Sequence, residues 1–332
     1  MSIFFDNFVV GINLPWLDDQ YDHDFGYNMT RKPDIDFEPN PTFSKENFER
    51  YIKDISEIGV KVVRLWLFER FEGLNFEQGK LMGVEPKFIN NLREACLIAK
   101  RYDVKFYFCL MDTWGITDEE STRKKYLKIA KEIITEQKEA FIDAAYQLFH
   151  TAEIKEQTWA IDVLNEPEGL EEDQYDDRRK HTKIKWDELI DYVTFALSTL
   201  KQKTELPVSC GFKESDGMLK AKNKIKDLVD FFDFHKYDDL GELPSYDSLN
   251  VSKPCIIGEC GQKTKEWNDD LQTAVVKNFL ENSKNLGYSG CFVWEYGYKG
   301  LDKANKEKSW CLINPDGSHR PAVDEIKEFL RE

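Results

Sequence analysis

Thr158-Trp159-Ala160-Ile161-Asp162-Val163-Leu164 is a short run of β-branched, aromatic and aliphatic residues that stops at Asn165-Glu166-Pro167. Because it is apolar at successive rather than alternate positions, it reads as a strand buried on both faces, the habit of parallel sheets covered by helices. Pro167 cannot donate to a strand ladder, so Asn165 and Glu166 stand at the carboxyl end of the run. Similar runs occur at Phe8–Asn13, Val60–Leu67, Val104–Met111, Leu206–Phe212, Phe231–His235, Pro254–Glu259 and Tyr288–Glu295, which makes eight. Amphipathic helical stretches separate most of them: Lys45–Ile58, Pro86–Tyr102, Glu119–Phe149, Trp186–Lys201, Met218–Val229 and Trp267–Asn285, with Pro321–Leu330 closing the chain. Ser44 is a candidate N-cap, and Pro86 and Pro321 occupy first-turn positions.

Eight β/α units predict a single (β/α)8 TIM barrel over residues 1–332, an α/β fold. An open doubly wound sheet needs fewer strands and a Gly-rich first turn, which Asn13-Leu14-Pro15-Trp16 does not supply. Only residues 236–253 lie between the sixth and seventh runs, and they include Gly241, Pro244 and Asp247, so the sixth helix is expected to be reduced to a stub. The loops Leu14–Phe43 and Pro167–Lys185 are long and polar, and in a barrel they lie on the C-terminal face, where function resides.

The chain has 332 residues and a net charge of −16, and 41% of it is hydrophobic, enough to build a large core. That charge repels phosphate backbones and anionic headgroups, which argues against nucleic acid or acidic membranes as partners and against strongly anionic substrates. No run of about 20 apolar residues occurs, so no membrane span is expected. The first sixteen residues lack the basic and apolar regions of a signal peptide, which leaves a cytoplasmic protein or a secreted one whose leader is absent. Seven scattered cysteines without a C-x-x-C pair are expected to be free, buried thiols. No metal-binding, phosphate-binding or catalytic-serine motif is present, so neither a metal nor another cofactor is expected. The acidic run Glu171–Asp177 lacks the ordered glycine and terminal glutamate of a calcium loop and reads as solvated.

Ionisable residues at strand ends carry the functional reading, since each barrel strand points its last residue into the mouth. Glu166 follows the fourth strand and Glu259 ends the seventh, across the barrel. Two carboxylates facing one cavity are the minimum set for glycoside hydrolysis. Arg64 on strand two can hold a carboxylate ionised and oriented, or serve as a structural ion pair. His235 and Tyr237 add polar donors after strand six, and Trp294 near the end of strand eight offers a flat apolar face. A mouth that combines aromatic faces with polar groups suits a sugar ring.

Arg64, Asn165-Glu166-Pro167, His235-x-Tyr237, Glu259 and Trp294, in this order on these strands, resemble the clan A glycoside hydrolases and within them family 5, the cellulases, β-mannanases and related β-glycosidases. The turn Trp310–Gly317 with Arg320-Pro321-Ala322 resembles the lead into the last helix of those enzymes. The resemblance implies a cofactor-independent retaining β-glycosidase acting on a neutral β-linked glycan, of the β-glucan or β-mannan type. It implies Glu166 as general acid/base, Glu259 as nucleophile and Asn165 as the partner of the sugar 2-hydroxyl. Arg64 and Tyr237 would lower the Glu259 pKa, while burial and the negative Glu259 would raise that of Glu166. At the end of strand three, where many family members carry His, this chain has Asp112-Thr113-Trp114; Asp112 is expected to bind a sugar hydroxyl and Trp114 to stack a ring. The alternative is a carbohydrate-binding TIM barrel without catalysis. The sequence sets no oligomeric state.

Overall fold

A computed structural model describes residues 7–17, 24–27, 43–117, 120–171, 184–237, 243–262, 269–297, 310–314 and 316–332, with the side chains of 120–124 excepted. Much of both long loops, most of the acidic run Glu171–Asp177, Gly241 and Pro315 lie outside the described residues.

All eight expected strands form: Val9–Asn13 (β1), Val62–Trp66 (β2), Lys105–Cys109 (β3), Thr158–Asp162 (β4), Val208–Ser209 with Gly211–Phe212 (β5), Phe232–Tyr237 (β6), Cys255–Gly261 (β7) and Gly290–Val293 (β8). Every pairing among them is parallel. The first half of β5 pairs with β4 and the second half with β6, so the sheet closes on itself through Cys210 into a (β/α)8 barrel. The helix after β1, Lys45–Ile58, starts where Ser44 accepts the Asn47 amide and stops at Gly59, whose φ of 106° suits a residue without a side chain. The sixth helix is a stub of four residues, Tyr246–Leu249.

Each strand alternates between two packing environments, because successive side chains point to opposite faces. On β2, Val63 and Leu65 pack outward into the main core between sheet and helices. Val62, Arg64 and Trp66 point into the lumen, one in each of three levels. Val62 belongs to an apolar plug with Tyr107, Trp159, Ala160, Phe231, Ile256 and Phe292. Tyr107 meets Trp159, Phe231 and Phe292 edge-on at 5.7, 5.6 and 5.9 Å, an arrangement that favours the ring quadrupoles. Above the plug lies a charged level built on Arg64, and above that Trp66 joins Trp16, Trp294, Cys109 and Cys311 at the mouth. The plug closes the lower end of the lumen, so the charged level faces only the C-terminal opening.

Three features depart from the sequence reading. The expected helix Glu119–Phe149 is two helices, Glu120–Thr135 and Lys138–Leu148. It breaks at Gln137, whose side chain accepts from the Leu81 amide at 2.8 Å and donates to the Gly79 carbonyl at 3.0 Å. Those partners belong to the second departure, an antiparallel hairpin of Leu74–Glu77 and Lys80–Val84 inserted after β2. Its turn uses Gln78 and Gly79, both at positive φ, as a two-residue hairpin turn requires. The third is a short helix, Ala152–Gln157, directly before β4. All seven cysteines are free and buried, as expected from their spacing.

Candidate active site

The charged level is assembled from strand interiors. Arg64, fully buried, donates from Nη2 to Asp162 Oδ2 at 2.7 Å and to Asn165 Oδ1 at 2.6 Å, and from Nη1 to Asn13 Oδ1 at 3.2 Å and to Glu259 Oε1. Four side chains from β1, β4 with its following turn, and β7 are thus tied to one guanidinium, whose fork geometry matches several acceptors at once. Asp162 Oδ1 accepts the amides of Leu164 and Gly211. A side chain at Gly211 would lie 2.9 Å from Asp162 Oδ2, 3.0 Å from His235 Nε2 and 3.2 Å from Arg64 Nη2, so the close approach of β5 to this level requires glycine there. Tyr107 donates to Asp233 Oδ2 at 2.7 Å, and burial holds the Asp233 carboxyl up at about 7 against the pull of His235 and Arg64. Asp162 and Asp233 were missed because each lies inside an apolar run of the sequence, and Asn13, the last residue of β1, because it is not ionisable.

The two carboxylates of the mouth stand above this level. Glu166 occupies the left-handed backbone region (φ 46°, ψ 63°), held there by its amide on the Gly211 carbonyl and by Thr113 Oγ1 donating to its own carbonyl. Its Oε1 lies 2.7 Å from His235 Nδ1, and its Oε2 accepts the Trp114 indole N–H. Glu259 takes Arg64 on one oxygen and the Tyr237 hydroxyl on the other, with His235 Nδ1 3.4 Å from that second oxygen. The β7 ladder shifts register between Ile257 and Glu259, which sets the glutamate beside His235 on β6. Glu166, His235 and Glu259 each bring one ligand-type atom within 4.8 Å of the others. Among the described residues they are the one group placed to hold a metal ion, but a cation there would compete with the donors of Arg64, Tyr237 and Trp114.

Burial pulls the His235 ring down, yet Glu259 and Glu166 outweigh it and lift its pKa to about 9, so the ring carries a proton at neutral pH. Burial pushes Glu259 above the usual carboxylate range, and the His235 and Arg64 charges do not fully offset it. Burial acts on Glu166 in the same sense, but hydrogen bonds and charge from His235, with Trp114 and Lys213, bring it below that range. This reverses the order expected from sequence. The expectation counted Arg64 and Tyr237 on Glu259 but could not see His235 bonded to Glu166.

Trp294 lies against Trp66 at 5.4 Å and edge-on to Trp16 at 5.7 Å, and Tyr237 meets Trp310 edge-on at 4.9 Å. Trp114 is half-buried with the Lys213 ammonium 5.7 Å from its ring centre. Asp112 is buried, with Oδ1 accepting from Asn165 Nδ2 at 2.7 Å and Oδ2 from the Gly115 amide at 2.6 Å. Arg64, Asn165, His235, Tyr237, Trp294, Asp112, Trp114, Glu166 and Glu259 are therefore gathered at one mouth.

A second acidic group went unread in the sequence. Glu69 and Glu72 follow β2 and are buried, and among the described residues neither oxygen of Glu69 nor Oε2 of Glu72 has a hydrogen-bond partner. Phe68, Arg70 and Phe71 around them take positive φ, which fixes the turn. Burial, then Asp112 nearby, holds the Glu69 carboxyl well above its ordinary value. A carboxyl raised in the folded chain favours folding below its unfolded pKa, and that advantage is lost as pH rises towards its native value. Glu69→Gln, which stays neutral, is expected to stabilise the protein by about 1–3 kcal/mol at pH 8 and far less at pH 5. Thermal melts at the two pH values check this; a gain that does not widen with pH refutes it.

No protein-family model and no curated protein sequence matches the chain. Barrel and mouth together define a (β/α)8 protein with two facing carboxylates on β4 and β7. Solved structures share this fold. They include β-mannanase from the blue mussel Mytilus edulis, with 18% identity, 98% of this chain and 92% of that one covered and a TM-score of 0.67. They also include endo-1,4-β-mannanase from Eisenia fetida, with 17% identity, 96% and 95% covered and a TM-score of 0.61. A variant of GH5_18 from Bifidobacterium longum subsp. longum, in complex with Manβ1-4GlcNAc, has 14% identity, 98% and 78% covered and a TM-score of 0.66. The resemblance read from the strand ends is thus matched at the level of the fold. No helix among the described residues is long and apolar enough to cross a membrane.

Proposed function

We propose that the chain is one catalytic domain, a retaining β-glycoside hydrolase that cleaves a neutral β-linked glycan, with β-1,4-linked mannan as the first candidate. The observation that carries this reading is the approach of one carboxylate oxygen of Glu166, one of Glu259 and a ring nitrogen of His235 to within 4.8 Å of one another at the barrel mouth. Retaining enzymes hold their carboxyl groups about 5–5.5 Å apart, whereas inverting ones leave about 6.5–9.5 Å for a water. The mannan preference rests on the mannanases that share the fold and on the −16 charge, which disfavours uronic or sulfated polymers.

Glu259 attacks the anomeric carbon as its bond to the leaving oxygen breaks. The proton for that oxygen comes from the His235–Glu166 pair, which holds it across 2.7 Å and delivers it through Glu166. Formation of the glycosyl ester removes the negative charge of Glu259. Glu166 then takes a proton from water, which attacks the same carbon and frees Glu259. Arg64 and Tyr237 fix the Glu259 rotamer, and the Trp294 wall takes the apolar face of the ring.

The test is incubation with β-1,4-mannan, cellulose, mixed-linkage β-glucan and xylan, with product length resolved and the nascent anomer followed by NMR. Mannan is expected to yield reducing ends that appear first in the β configuration. Product of initial α configuration refutes retention, and no product from any polymer or aryl β-glycoside refutes the function.

A further inference from the structure

Asp112 lies just beyond β3 and already has a protein donor on each carboxyl oxygen, Asn165 Nδ2 on one and the Gly115 amide on the other. The strand ladder reaches this point: Asp112 and Asn165 form a parallel bridge beyond β3 and β4, and the Asn165 amide donates to the Met111 carbonyl at 2.8 Å. The backbone of Asn165 is therefore fixed, and what remains to be set is the direction of its carboxamide. A carboxamide can turn end for end about its last bond, exchanging donor for acceptor. Here its Oδ1 faces Arg64 Nη2 at 2.6 Å and its Nδ2 faces Asp112 Oδ1 at 2.7 Å. The reversed orientation sets an NH2 group against a guanidinium, and a carbonyl oxygen against Asp112, which burial pushes up to about 7; with Asp112 ionised, above that pH, both are buried repulsions in place of two charge-assisted bonds. In the observed orientation the oxygen already accepts from a charged donor, and one N–H of Nδ2 has no protein acceptor among the described residues.

We propose that Asp112 is a positioning residue that locks the Asn165 carboxamide so that it presents only a donor to substrate, and the site thereby reads the hydroxyl beside the anomeric carbon as an acceptor. This rests on the glycoside hydrolase reading of the site. Arg64 alone does not secure the lock, because it also serves Asp162, Asn13 and Glu259 and bonds Asn165 only at the oxygen. Asp112 supplies the second point of contact.

The experiment measures kcat/KM for an aryl β-mannoside, an aryl β-glucoside and the 2-deoxy glycoside common to both, on wild type, Asp112→Asn, Asn165→Ala and the double variant. The quantity read is the ratio of 2-hydroxy to 2-deoxy turnover, taken on one preparation so that the folded fraction cancels. Asp112→Asn is expected to lower that ratio tenfold or more on the substrate that wild type hydrolyses, Asn165→Ala to lower it at least as far, and the double variant to go no lower than Asn165→Ala. If Asp112→Asn does not fold, Asp112→Glu, whose carboxylate is displaced by one methylene, is expected to lower the ratio several-fold. An unchanged ratio with equal loss on the 2-hydroxy and 2-deoxy substrates overturns the inference and leaves the function reading standing, as does a double variant whose ratio falls by the product of the single effects. A wild type that hydrolyses none of the substrates removes the function reading and this inference with it.

Discussion

Glu259→Gln is expected to lower kcat/KM for any β-glycoside by about four to six orders of magnitude. The amide keeps nearly the shape of the carboxylate but cannot form the glycosyl ester. Its neighbours hold position, since Arg64 still has Asp162, Asn165 and Asn13 as partners and Tyr237 still finds an oxygen acceptor. Burial already makes a charge at position 259 costly, so the neutral amide is not expected to destabilise the fold. Steady-state kinetics on an aryl glycoside, with melting temperature as the control for folding, checks both halves. A variant within tenfold of wild type removes Glu259 from the nucleophile role.

The arrangement behind that expectation was legible in part. All eight strands could be marked because their apolar runs are interrupted by helical periodicity, and Pro167 and the apolar run before Glu259 put the two glutamates near strand ends, although β7 continues two residues past Glu259, to Gly261. What could not be read was which face of a strand entered the lumen. In Val62-Val63-Arg64-Leu65-Trp66 both faces are buried, so hydropathy has no alternation to show, and Arg64 stands out only by its charge. For the same reason Asp162 and Asp233 passed as strand interior although they are Arg64's and Tyr107's partners. The hairpin at Leu74–Val84 and the break at Gln137 explain each other, since the side chain that leaves the helix caps the hairpin's backbone, and no local propensity records a contact 56 residues away.

Asp112 and Trp114 illustrate a different limit. Sequence placed them at the mouth but could only guess what they touch, and both turn towards other side chains: Asp112 to Asn165, and Trp114 to Glu166. The pKa order failed on the same point. Counting neighbours along the chain assigns Arg64 and Tyr237 to Glu259, yet the ring that decides where the proton sits comes from β6, and His235 is nearer to Glu166 (2.7 Å) than to Glu259 (3.4 Å). Longer-range pairing, not residue type, determines which carboxylate loads first.

That pairing gives the second large effect. Glu166→Ala removes the group that hands the proton to the leaving oxygen, and general acid–base assistance contributes about 10²–10⁴-fold. Loss of that size is expected on oligosaccharides and on aryl glycosides with poor leaving groups, which cannot depart as anions. A dinitrophenolate needs no proton, so formation of the glycosyl ester on Glu259 is expected to stay within about tenfold of wild type in a pre-steady-state burst. The ester then persists, because no base activates water, and a small anionic nucleophile such as azide is expected to restore turnover. The pH profile separates this role from a structural one. His235, lifted to about 9 by Glu259 and Glu166 despite burial, carries its proton below that pH and loses it above. Wild-type kcat/KM on a poor leaving group should therefore fall on the alkaline side near pH 9, while burst formation from the dinitrophenyl substrate by Glu166→Ala should not share that limb. Equal losses on good and poor leaving groups would take the acid/base role away from Glu166, since a residue that only shapes the pocket has no means of telling the two apart.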